Sequence, residues 1–167
     1  MRVGYTGSMD SLHIWKGMSD ELRTQAAEAF YADPALNEFH QAANLFIARQ
    51  KNFRPAFIKR LPPQKRSFYL AHLQLSPELA SQLLVSYHFA HQRPLMSAFL
   101  NALGVPNDQG LITDDAEVPI PASETLSAAV ATIQSGFPAP DVQRYLHTLY
   151  SQNPQTWAGL QPFPLSS

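Results

Sequence analysis

Apolar residues recur at three- and four-residue spacing along most of this chain, and residues that start or stop helices bracket each recurrence. The first clear case begins at Ser19, a good N-cap, with Asp20 and Glu21 in the first turn, where the helix dipole favours negative charge. Leu22, Ala26, Ala29 and Phe30 form its apolar stripe. Asp33-Pro34 closes that helix and opens another, in which Leu36, Phe39, Ala43, Phe46 and Ile47 recur as far as Gln50. Arg54-Pro55 breaks the pattern. Residues 56–60 suit a single turn, Leu61-Pro62-Pro63 is extended, and a helix from Gln64 to Gln74 places Phe68, Ala71 and Leu75 on one line.

Ser76-Pro77-Glu78 is the next start signal. The helix it opens carries Leu79, Ala80, Leu83, Leu84, Val85, Tyr87, Phe89 and Ala90, apolar nearly all round, which predicts a central, buried position for residues 77–91. Arg93-Pro94 restarts the chain with Leu95, Phe99, Leu100 and Leu103, and Gly104 stands where a left-handed C-cap belongs. Residues 105–122 are the longest irregular stretch and the expected hinge or binding loop. Ser123-Glu124 opens a helix with Leu126, Ala129, Val130 and Ile133, ending at Gly136. Asp141 opens the last long one, with Val142, Tyr145, Leu146 and Leu149, and Trp157 falls on a short turn after Asn153-Pro154. The prediction is an all-α, single-domain bundle of seven or eight short helices over residues 19–160, with loose segments at 1–18 and 161–167.

Composition agrees. Ala and Leu far outnumber Val and Ile, favouring helix over strand. At 167 residues the default is one domain. The absence of Cys removes disulfides, thiolate nucleophiles and Cys-ligated zinc, and fits a reducing compartment. No apolar run has the length of a membrane span, and the first ten residues lack a secretory pattern, so a cytoplasmic location without a membrane partner is expected.

Charge changes the picture more. Residues 1–66 carry ten basic and six acidic side chains; residues 67–167 carry two and seven. Seven of the twelve Lys and Arg residues (Arg49, Lys51, Arg54, Lys59, Arg60, Lys65 and Arg66) fall within eighteen positions, and no Asp or Glu occurs between Phe39 and Pro77. Such clustering makes a local positive field in a chain of net charge −1. The segment is a candidate contact surface for an anionic partner, with Phe53, Phe57, Phe68 and Tyr69 interleaved. The competing reading is a solvated connector whose aromatics point inward. Asp114, Asp115 and Glu117 are a matching acidic patch, within the chain or on a second copy.

The remaining candidates are histidines. His88 and His91, three apart on one helical face, suit a shared metal if His72 supplies a third ligand. The alternative for the pair, and for His40, is interior hydrogen bonding. His13 and His147 have no partner legible in the sequence. No zinc-protease, phosphate-loop, calcium-loop or nucleophile-elbow pattern occurs. The leading expectation is a non-catalytic module, without cofactor, that binds another protein or its own copy. Nucleic-acid or other anion binding through residues 49–66 is the alternative, although a pI near 6.6 is low for a nucleic-acid binder. A metal-dependent enzyme on His72, His88 and His91 is the third.

Overall fold

The computed structural model describes residues 10–113 and 118–160. Among these are nine α-helices: α1 (Ser11–Lys16), α2 (Asp20–Ala32), α3 (Asn37–Lys51), α4 (Pro55–Arg60), α5 (Pro63–His72), α6 (Pro77–His91), α7 (Arg93–Leu103), α8 (Ser123–Gly136) and α9 (Ala139–Gln152). Short 3₁₀ turns occupy Pro34–Leu36 and Ala158–Leu160. The all-α, single-domain expectation holds. No described helix is long and apolar enough to cross a membrane.

Local chemistry explains the helix ends. The Ser19 hydroxyl accepts from the Leu22 amide and the Ser76 hydroxyl from the Leu79 amide, each satisfying an otherwise orphan donor. Five of the helices, α4 to α7 and α9, have proline in their first two positions, where its missing N–H costs nothing. Gly104 ends α7 in the left-handed region, φ 76°. Asn52 does the same for α3 at φ 59°, and the Phe53 amide then reaches back to the Ala48 carbonyl, turning the chain into α4.

Two apolar clusters fill the interior. The first gathers α1 to α6 around Ile14, Trp15, Phe30, Ile47, Leu70 and Leu83; the second gathers α7 to α9 around Leu95, Phe99, Val130, Leu146 and Trp157. Helix α6 joins them. It packs on α1, α2, α7 and α9, buries Ala80, Leu83, Leu84 and Tyr87 in the first cluster, and sends Phe89 against the second. Its predicted central place is therefore realised.

Three expectations need correcting. Residues 10–18 are not loose: α1 is capped by the Asp10 carboxylate, which accepts from the His13 amide, and Ile14, Trp15 and Met18 are buried in the first cluster. Six residues are too few to show a helical period, which is why the pattern missed it. Phe39 and Phe68, placed on apolar stripes, are about half exposed, because α3 buries Ala43, Ile47 and Ala48, and α5 buries Ser67, Leu70 and Ala71. The loop 105–122 contains a small antiparallel hairpin, β1 (Asn107–Asp108) and β2 (Leu111–Ile112), turning at Gln109 (φ 51°) and Gly110 (φ 93°). Asn107 Oδ1 accepts from the Gly110 amide, and its Nδ2 donates to Asn101 and to the Val105 carbonyl. Residues 1–9, Asp114, Asp115, Glu117 and the tail 161–167 lie outside the described residues.

Candidate functional site: a basic, aromatic surface on α3, α4 and α5

The prolines and the Asn52 turn fold residues 49–68 into two short helices bent around the end of α3. Only Ile58, Ser67 and, in part, Phe53, Leu61 and Arg66 face inward; Arg49, Lys51, Arg54, Lys59, Arg60 and Lys65 are exposed. Among the described residues the ion pairs are Arg23–Asp20, His72–Asp20 and Arg144–Asp141, so none of these six cations has a carboxylate partner. Lys51 instead sits with its Nζ 5.5 Å above the Tyr69 ring.

Arg66 departs from the other six. Its guanidinium lies 5.1 Å over the Tyr31 ring, in half-buried surroundings. Burial pushes the Tyr31 phenol up to about 12, partly offset by the Arg66 charge, and the phenol donates to Asn44 Oδ1 at 2.9 Å. Arg66 Nε is buried without a hydrogen-bond partner. This residue therefore belongs to the packing between α2 and α5 rather than to the open surface.

An aromatic ridge runs through the cations. Phe57 packs edge-on to Phe53 (5.0 Å), Phe53 to Tyr69 (5.6 Å), Tyr69 to Phe68 (6.1 Å), and Phe68 lies against His72 at 4.3 Å and 33°. Phe57 is 45% exposed and Phe68 52%. Their exposure was not legible in the periodicity, which marked Phe68 for burial. The combination puts half-exposed apolar rings on the same short stretch of chain as the exposed cations.

The histidines do not assemble. His72 Nδ1 donates to the Phe68 carbonyl and its Nε2 stands 3.8 Å from Asp20. His88 is buried, with Nδ1 bonded to the Leu84 carbonyl at 2.8 Å, whereas His91 is exposed beside Tyr87. His91 thus corrects the expectation of an interior pair. Among the described residues no three His, Asp or Glu side chains form a group that could hold a metal ion, so His72, His88 and His91 do not converge. His40 is half-buried, with its Nε2 on the Phe30 carbonyl, and His147 is buried within α9. No protein-family model, curated protein or solved structure matches this chain.

Proposed function

We propose that this chain is a non-catalytic binding module. Its contact surface is the basic, aromatic face of α3, α4 and α5, and its partner is an acidic protein segment carrying apolar side chains. The observation that carries this reading is the pairing of six exposed cations, none with a carboxylate partner among the described residues, with two half-exposed Phe rings on one short stretch of chain. Apolar area supplies affinity, while the charges select the partner and speed encounter. The short, proline-started helices hold the surface in place, so little entropy is lost when it docks.

Ring geometry favours protein over single-stranded nucleic acid. Stacked bases need open ring faces, but here the rings pack edge to face on one another, and Phe68 already lies against His72. A second copy of the chain is the other protein partner to consider, since residues 67–167 hold seven acidic and two basic side chains.

Fluorescence anisotropy with a synthetic peptide of Glu interspersed with Leu and Phe tests the reading, alongside an oligothymidylate and a sedimentation series of the protein alone. The peptide should bind, should lose at least tenfold in affinity on Arg54→Glu/Lys59→Glu/Arg60→Glu, and should weaken at high salt as exposed charges are screened. Salt-sensitive self-association would name the chain itself as partner. Tighter binding of the oligonucleotide, or no binding by any probe, would overturn the proposal.

A further inference from the structure

His88 Nε2 and Arg66 Nε are both buried without a hydrogen-bond partner. The two groups differ in what can still reach them. Helices α6, α7 and α9 and the β1–β2 hairpin border a cavity of about 210 Å³ with His88 in its wall. Nδ1 of that ring already bonds the Leu84 carbonyl and Nε2 is sealed, so the imidazole has no atom left for a ligand. Arg66 keeps two such atoms.

A guanidinium carries five N–H donors. Among the described residues Arg66 makes no hydrogen bond and no ion pair with any of them. Nε is sealed from solvent, but the two terminal nitrogens, equally without partners, are not. Arg66 and Tyr31 line one open cleft of about 380 Å³ between α2 and α5. The guanidinium lies 5.1 Å over the Tyr31 ring, so the charged end of the side chain, not its stem, meets the ring that forms the cleft wall. The volume falls within the ordinary range of small-molecule pockets, roughly 300–1,000 Å³.

We propose that this cleft binds a small monocarboxylate with an apolar body, its carboxylate held by the terminal nitrogens of Arg66 and its body laid against Ala32 and Pro63. A half-buried cation whose donors lack acceptors is costly, and an anion in the cleft relieves that cost. A carboxylate fits best, because its two oxygens match the planar fork of a guanidinium, and the Tyr31 ring helps to hold that fork in place. Ala32 and Pro63 supply apolar surface on the two sides of the cleft. Glu28 limits the charge. It stands one turn before Ala32 on the same face of α2, exposed at the cleft and without a cation partner among the described residues, so it repels a second negative group. The site stands apart from the six solvated cations of the partner surface.

Benzoate, benzamide and phthalate make the test, since they share a ring and carry one, no and two negative charges. Each is titrated into ¹⁵N-labelled protein at neutral pH, with the Arg66 side-chain resonances and the backbone amides observed by NMR. Benzoate should shift the Arg66 side chain and the amides around Tyr31 and Arg66. Benzamide and phthalate should each bind about tenfold more weakly. Arg66→Lys, which keeps the charge and loses the fork, should weaken benzoate by about tenfold, and Arg66→Gln should abolish its preference over benzamide. Should neither variant fold, Glu28→Gln on the exposed side of the cleft supplies the second arm: it should tighten phthalate more than benzoate. Equal affinity of benzoate and benzamide, phthalate binding more tightly than benzoate to the wild type, or shifts centred on Arg54, Lys59 and Arg60 instead of Arg66 would overturn the proposal.

Discussion

Six cations of the first region stand in solvent with no carboxylate beside them among the described residues, whereas the second region borders a cavity with one neutral imidazole in its wall. Both features begin with an unsatisfied polar group, yet their energetics differ. Exposed charges are solvated, so the first region can carry a positive field at little cost to stability. A buried imidazole has no such refuge, so protonating it acts directly on the fold. One surface is therefore separable from stability, and the other site is coupled to it.

Helix α6, which joins the two apolar clusters, gives the largest expected effect. Leu83 is fully buried on α6, and Leu83→Ala should destabilise by about 2–5 kcal/mol through lost transfer energy and the cavity left behind. Trp15 lies in the first cluster and Trp157 in the second, so single-Trp variants report on each. Their denaturation midpoints should coincide and should fall together in Leu83→Ala. Separate midpoints, or a cost below about 1 kcal/mol, would divide the molecule in two and displace α6 from its centre.

Next in size is the pH dependence. His88 is held neutral in the folded chain, down to about 4 from an ordinary 6.5, while the unfolded chain takes up the proton. Stability from this group is fully present above about pH 6.5 and is lost as pH falls through the folded value, to a total of about 3 kcal/mol. Comparing thermal unfolding of the wild type and His88→Gln between pH 7 and about pH 4 isolates it from other titrating groups. Parallel curves would mean that His88 is not held neutral.

Arg66 sharpens the contrast within the basic segment. Arg66→Ala should cost about 0.5–1 kcal/mol, the scale of a cation–π contact, while Arg60→Ala should be neutral within about 0.5 kcal/mol. The triple reversal Arg54→Glu/Lys59→Glu/Arg60→Glu should likewise leave unfolding almost unchanged. A large loss in the triple variant would show that these charges serve the fold.

Much of this organisation was legible because it is local. The Ser19 and Ser76 caps, the proline starts and the left-handed Gly104 each depend on residues within one turn. What the sequence hid depends on which neighbour covers which face. His88 and His91 are only about 60° apart around α6, yet the edge of the core falls between them, with Tyr145 of α9 packed on His88. Phe39 and Phe68 fit their helical stripes but sit at margins of the core where about half of each side chain stays exposed. The cavity is closed only when α9 packs on the consecutive elements α6, α7 and the hairpin, and its only local signal was the Asn107-to-Gly110 turn. The basic segment was readable as charge; the edge-to-face ridge of Phe57, Phe53, Tyr69 and Phe68 was not, because it depends on Phe53 lying between Phe57 of α4 and Tyr69 of α5.

The central claim is that partner binding belongs to the first region alone. Titration of the Glu-Leu-Phe peptide into ¹⁵N-labelled protein tests it most directly, by mapping which backbone amides respond. The account predicts changes confined to residues 49–72, removed by Arg54→Glu/Lys59→Glu/Arg60→Glu, with the amides of α7, α8 and α9 unmoved. Changes centred on α7 to α9, or a response that survives the charge reversal, would contradict it.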